Sequence, residues 1–274
     1  MIIGNRDFDF SRQTYVMGIL NVTPDSFSDG GLYADPERAL DRAIEMQEEG
    51  ADLIDLGGES SRPGADPVSA AEEIGRVIPL LKKLVKKTKI SISVDTCRST
   101  TAEAALNEGA SLINDISALG DPAMAGVIAK WNVPVILMHK KGEPKTMQND
   151  VSYDDVVREV GEFLRTRAAF AVESGISSDR ILIDPGIGFG KKFEHNKSLL
   201  DRLEEFKKLG HPVVFGASRK RFIQEMFGQV PQQVLAGSVA VALLAAIHGA
   251  SIVRVHDVRE TKAAIRLANL EAVL

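Results

Sequence analysis

Three side chains invite a chemical reading first: Asp95 in SISVDT, Asn114 in LINDIS and Asp184 in ILIDPG. Each ends a short apolar run, where an uncompensated polar group is costly to bury. Two carboxylates and an amide that converge suit a flat heterocycle with several N–H donors, such as an aminopyrimidine or aminopterin edge. Taken singly, each is better explained as a helix cap or loop tie; three around one rim favour a site. A second group is cationic: Arg62 in ESSRPG, Lys220 in GASRKRF, and Arg254 with His256 in IVRVH. Residues 254 and 256 are two apart on a strand and face the same way. An arginine fork beside a histidine fits a clamp for pyrophosphate. Asp257 follows closely, so a structural Arg254–Asp257 pair is the competing reading. Asn21, ending the first apolar run, offers a neutral amide oxygen that can ligate Mg²⁺ held mainly by phosphate oxygens and water.

Other signals are weaker. Gly186, Gly188 and Gly190 in DPGIGFGKK match neither GxGxxG nor GxxxxGK[ST]. They read as a tight turn that brings Phe189 to a ligand's ring. Cys97 is the one cysteine, so neither an intrachain disulfide nor a Cys-rich zinc site can form. His139 reads as structural, and His248, at the end of an Ala-rich helical run, as a surface or interface residue.

Something must hold these residues together. Apolar, β-branched runs at 15–22, 53–57, 91–95, 111–116, 134–139, 181–184, 212–218 and 252–256 alternate with amphipathic helical stretches. Between 39 and 49, for example, Ala43, Ile44 and Met46 share a side and Gly50 ends the pattern. Strands of this kind, alternating with helices, predict a parallel sheet covered by helices. Polar residues close the runs: Asn21, Asp55, Asp95, Asn114, His139, Asp184, Ser218 and His256. Asp55 and His139 read as support for the others. The expectation is an α/β fold, a (β/α)8 TIM barrel forming a single domain over residues 1–274. A doubly wound open sheet is the alternative, but only closure brings Asn21 beside Arg254 and His256. Connections 23–33, 59–68 and 140–153 follow strand ends and are candidate lids.

The chain's 274 residues are ordinary for such a barrel, and 44% apolar against 26% charged residues supply a core and a solvated surface. A net charge of −5 without a basic stretch argues against nucleic acid and acidic membrane surfaces as partners. The longest apolar run, 239–247, is too short to span a bilayer. The first nine residues lack a signal peptide's apolar stretch. A cytoplasmic location is expected.

Longer stretches add a resemblance. GILNVTPDSFSDGG (18–31), DLGGESSRPGA (55–65), SVDT (93–96), INDIS (113–117), LMH (137–139), GEPKTMQ (142–148), DPGIGFGK (184–191), GASRK (216–220) and RVH (254–256) resemble the dihydropteroate synthase family. The likeness runs from Val16 to about Arg259. It implies a barrel transferase of folate biosynthesis. That enzyme joins 7,8-dihydro-6-hydroxymethylpterin pyrophosphate to p-aminobenzoate, giving 7,8-dihydropteroate and pyrophosphate. By resemblance, Asp95, Asn114, Asp184 and Lys220 hold the pterin, with Met138, Phe189 and Gly216 lining its slot. Asn21, Arg62, Arg254 and His256 hold pyrophosphate, with Mg²⁺ at Asn21. Ser61, Arg62, Pro63, Phe189, Ser218 and Lys220 surround the aminobenzoate. Asp29 and Phe27 close over both substrates, and the catalytic set implied is Asp29, Asp95, Asp184, Lys220, Arg254 and His256. A homodimer is implied too, with the helix at 234–247 and the last helix as its interface.

The residue types suit this reaction on their own. An arylamine is neutral at pH 7 and needs no strong base, so breaking the C–O bond to pyrophosphate is the hard step. Cationic groups and Mg²⁺ would stabilise the leaving group, and the two aspartates the charge spreading into the ring, in an SN1-like displacement. Ser61 departs from the family's usual Thr, which leaves selectivity toward sulfonamides open. A pterin-dependent methyltransferase would have no use for Arg62, SRK and RVH. A non-catalytic pterin-binding paralogue is expected to have degraded loops.

Overall fold

The computed structural model describes residues 1–23, 36–60, 66–142, 147 and 151–271. After a hairpin of β1 (Ile2–Ile3) and β2 (Arg6–Asp7), the apolar runs become β3 (Tyr15–Asn21), β4 (Leu53–Gly57), β5 (Ser91–Asp95), β6 (Leu112–Asp115), β7 (Val135–Met138), β8 (Ile181–Asp184), β9 (Val214–Phe215) and β10 (Ile252–Val255). They form one eight-stranded sheet in the order β8-β7-β6-β5-β4-β3-β10-β9. A parallel bridge between Ile183 and Val213 joins its two ends, so the sheet closes. β10 lies directly against β3, with Arg254 opposite Met17, which rules out the open sheet.

The run at 212–218 contributes only a short strand. Beyond Phe215 the chain turns: Lys220 N donates to Ala217 O at 3.1 Å, and Arg219 adopts a positive φ of 58°.

The helices are α1 (Pro36–Glu48), α2 (Ala70–Lys87), α3 (Ser99–Asn107), α4 (Met124–Trp131), α5 (Val156–Glu173), α6 (Phe193–Asp201), the short α7 (Glu204–Lys207), α8 (Arg221–Phe227), α9 (Pro231–Ile247) and α10 (Val258–Glu271). Local chemistry sets several ends. Ser69 caps α2, its hydroxyl accepting from Glu72 N, with Glu72 and Glu73 in the first turn and Lys86 and Lys87 in the last. Asp155 caps α5 by accepting from Val157 N. Among the described residues, no single helix is long and apolar enough to cross a membrane.

Side chains two apart on a strand share a face, and this divides the barrel interior into levels. Met17, Leu53, Leu112, Ile136, Leu182, Val214 and Ile252 form the lower level, packed against Ile3 and Phe8 of the hairpin segment. Two residues on, the inward positions are Ile19, Asp55, Asn114, Met138, Asp184, Gly216 and Arg254. On β5 the same face reads Ser91, Ser93, Asp95. The charged groups thus sit toward the C-terminal ends of the strands, above a lower level that includes Ser91, whose hydroxyl donates to Ile3 O at 2.7 Å.

Candidate active site

Arg254 organises the upper level. Its Nε donates to Asp55 Oδ2 at 2.6 Å and its Nη2 to Asp95 Oδ2 at 2.9 Å. Asn114 Nδ2 donates to the same Asp55 oxygen at 3.0 Å. The acidic and basic groups do not stand apart, because Arg254 joins them through two carboxylates. Nor does Arg254 pair with Asp257. That carboxylate belongs to Arg219, which reaches it with Nη2 at 2.6 Å and Nε at 3.2 Å. Asp55 is fully buried and paired with Arg254.

Asp184 Oδ1 accepts from Gly186 N at 2.7 Å. Across the cavity, Lys220 Nζ donates to Ile187 O at 2.7 Å and sits 4.5 Å from the centre of the Phe189 ring. Ser218 Oγ lies 3.1 Å from His256 Nδ1 and accepts from His256 N at 3.2 Å. The glycine turn has a steric origin. Gly186 and Gly190 both have positive φ, and a Cβ at either would strike a carbonyl oxygen, of His139 and Lys141 respectively. That close approach delivers Phe189 to the cavity wall. There it packs with Met138, Met147 and Ile116.

Burial and charge pull these groups in opposite directions. Burial pushes the Asp95 carboxyl up to about 7, helped by Asp55 and opposed by Arg254. It raises Asp184 too, against Lys220, the Gly186 N–H and Arg254. The Lys220 ammonium is lowered by burial to about 8, with Asp184 resisting. Burial also opposes the charge on Arg254, but Asp55 and Asp95 outweigh it and hold the guanidinium firmly protonated.

A cavity of about 1210 Å³ opens above these groups, walled by Asn21, Phe189, Gly216, Ser218, Lys220, Arg254 and His256 among others. Asp95, Asn114, Met138 and Asp184 do not line it. Arg254 lines that cavity while holding Asp95. Phe27, Asp29, Ser61, Arg62 and Pro63 lie outside the described residues, as do 24–33 of the first candidate lid, 61–65 of the second, and 143–146 and 148–150 of the third. Among the described residues, no group of three or more His, Cys, Asp or Glu could hold a metal ion. Asn21 offers one neutral oxygen, beside the open face of Gly57.

Two residues escaped the sequence reading. Arg219 sits inside the SRK triplet and ties the turn after β9 to Asp257 after β10. Lys191 closes the glycine turn and is buried. His139 is its partner, with Nδ1 2.9 Å from Lys191 Nζ. His248 is not a free surface residue: it is half-buried, and its Nδ1 lies 2.8 Å from Leu200 O.

A closed parallel barrel whose strands carry carboxylates, an amide and an arginine at their C-terminal ends, beside an open cavity, has the architecture of a barrel enzyme. The family model described as "Pterin binding enzyme" matches residues 17–256. The dihydropteroate synthase of Escherichia coli (strain K12) is 46% identical over 260 residues, 95% of this chain and 92% of that protein. The Yersinia pestis dihydropteroate synthase solved with a sulfonamide drug superposes with a TM-score of 0.96 at 42% identity, over 100% of this chain and 99% of that one. The Xanthomonas albilineans dihydropteroate synthase in complex with 7,8-dihydropteroate gives 0.86 at 44%, over 96% and 95%. The chain belongs to the pterin-binding enzymes and, within them, to the dihydropteroate synthases, which are transferases.

Proposed function

We propose that floor and rim of this cavity divide the dihydropteroate synthase reaction between them: the amine of p-aminobenzoate displaces pyrophosphate from 7,8-dihydro-6-hydroxymethylpterin pyrophosphate. The observation that carries this reading is Arg254, held between Asp55 and Asp95 and lining the cavity above them. Arg254 holds Asp95 through one oxygen, Oδ2, and lines the cavity, so it is placed to meet the pyrophosphate while Asp95 accepts from the pterin edge. Asp95, Asn114 and Asp184 then bind the ring's N–H groups, with Met138, Phe189 and Gly216 around it. His256 and Asn21 share the pyrophosphate with Arg254 and with Arg62. Lys220, Ser218 and Phe189, with Ser61, Arg62 and Pro63, surround the aminobenzoate, while Asp29 and Phe27 cover the site. The Xanthomonas relative's 7,8-dihydropteroate contains both halves of the product and supports this layout.

The neutral arylamine attacks without a strong base, after pyrophosphate has begun to leave in an SN1-like displacement. Asp95 and Asp184 stabilise the cation spreading from the exocyclic carbon into the ring, and Arg254 and His256 the departing charge. A single amide oxygen fits Mg²⁺ whose remaining ligands are phosphate oxygens and water. Asn21 would hold it, and the bound ion would offset the charge of the leaving group.

The enzyme is read as one cytoplasmic domain that acts as a homodimer. Exposed Leu244 and Ile247 of α9 and Leu267 and Leu270 of α10 support that interface. The sulfonamide bound by the Yersinia relative supports the same class of inhibitor here. Mixing the pterin pyrophosphate, p-aminobenzoate and Mg²⁺ with the protein should release pyrophosphate. Folded protein that releases none would overturn the reading.

A further inference from the structure

One buried cation has no part in that reaction. Lys191 follows the glycine turn and is only 3% exposed. Its Nζ lies 3.0 Å from Phe189 O, 2.9 Å from His139 Nδ1 and 3.4 Å from His139 O. An ammonium has three N–H donors, and here three acceptors surround it. When Lys191 donates to Nδ1, His139 is neutral and carries its proton on Nε2. Burial, and then the Lys191 charge, lower the imidazole to about 2, so it is neutral across the working range. Among the described residues, no carboxylate pairs directly with Lys191, and burial lowers its ammonium well below the ordinary lysine value, with Asp184 resisting through space.

Burying an ammonium without a paired carboxylate is expensive. A methionine of similar length would avoid that cost, so the buried amine calls for a use. What Lys191 grips supplies one. The carbonyls of the turn are held from several elements: Ile187 O by Lys220, Phe189 O by Lys191, and Gly190 O by Tyr153 Oη at 3.0 Å. Asn196 Oδ1 accepts from Gly188 N at 2.8 Å. Lys191 ties this turn to the end of β7, where His139 follows Met138. Met138 and Phe189 pack in one cluster.

We propose that Lys191 is a positioning residue of the pterin floor, pinning Phe189 against Met138 through its hydrogen bonds to Phe189 O and His139. The proposal rests on the pterin reading of that floor. It predicts a selective effect, because the rim groups Arg254 and His256 are attached to β10 and do not depend on the turn.

The test compares Lys191→Met and Lys191→Gln with the wild type. Calorimetry would measure binding of 7,8-dihydro-6-hydroxymethylpterin and, separately, of pyrophosphate with Mg²⁺; steady-state kinetics would give KM and kcat. Lys191→Met should weaken pterin binding by about tenfold or more, the scale of a lost charged hydrogen bond, and raise KM for the pterin substrate in parallel. Pyrophosphate affinity should stay within about twofold, as expected for a group that makes no contact with it. Lys191→Gln keeps one N–H for Phe189 O and should recover part of the loss. If Lys191→Met does not fold, Lys191→Gln carries the same readout. Equal losses of pterin and pyrophosphate affinity, or unchanged pterin affinity in a folded variant, would overturn the proposal. A wild type that fails to bind pterin would instead overturn the functional reading, so the two failures are distinguishable.

Discussion

The two ends of the barrel are built from the same eight strands and have opposite chemistry. At the lower end every inward residue of the cluster is hydrophobic, and Ile3 and Phe8 of the hairpin segment cover it at 0% and 1% exposure. Two residues further along, the interior holds Asp55, Asp95, Asn114, Asp184 and Arg254. There Asp55 Oδ1 and Ser93 Oγ are buried without a partner among the described residues. The lower end is finished when the chain folds. The upper end keeps charges whose partners can be exchanged when a ligand arrives, and stability and function are separated by one step of strand periodicity.

The largest effect should come from removing the residue that joins the charges. Arg254→Ala leaves Asp55 and Asp95 as neighbouring buried carboxylates and strips the leaving group of its main cation. Turnover should fall by roughly 10²–10³, measured as pyrophosphate release at saturating substrates. A variant that keeps more than about a tenth of wild-type turnover would break the claimed division, because this single residue would then not govern the upper end.

Leu182→Ala addresses the lower end from the same strand that carries Asp184. A cavity in that layer should cost about 2–5 kcal/mol of unfolding free energy, read from denaturant titration. Turnover per folded molecule should change by less than about twofold, since the lesion does not reach the groups above. Asp184→Asn is the converse and smaller: pterin affinity should drop by about tenfold, more than aminobenzoate affinity, with little change in the unfolding midpoint. Equal losses of both affinities would count against Asp184 as a pterin residue.

The barrel was legible in the sequence because periodicity is local: each apolar run ending in a polar residue needs no knowledge of its neighbours. The rim residues were legible for the same reason, since Asp95, Asn114, Asp184 and Arg254 sit at fixed steps along their own strands. Their pairing was not. Whether Arg254 chooses Asp257, three positions away, or Asp55, 199 positions away, depends on which face of the strand each side chain occupies after closure. Arg254 points inward, whereas Asp257 meets Arg219 beyond the strand's end. Lys191 was hidden for a related reason. A lysine after a glycine turn reads as solvated surface, and only the folded turn shows it enclosed by His139 and Phe189.

The pairing of Arg254 also makes a finer test possible. Two carboxylates share that guanidinium, so removing one should relieve the folded state while impairing the site. Unfolded, an Asp ionises near 3.9; folded, burial keeps Asp95 protonated up to about 7. Between those values the folded chain binds the extra proton, so this residue's contribution to stability is lost as pH rises through about 7. Asp95→Asn has no such loss. Its stability relative to wild type should therefore grow from pH 5 to pH 8 by up to about 3 kcal/mol, about 1.4 kcal/mol for each pH unit below 7, while its pterin affinity falls. The two pH–stability curves running parallel would mean that Arg254 fully satisfies both carboxylates. In that case the upper end would be as settled as the lower, and burial of Asp95 would hold no cost for a ligand to relieve.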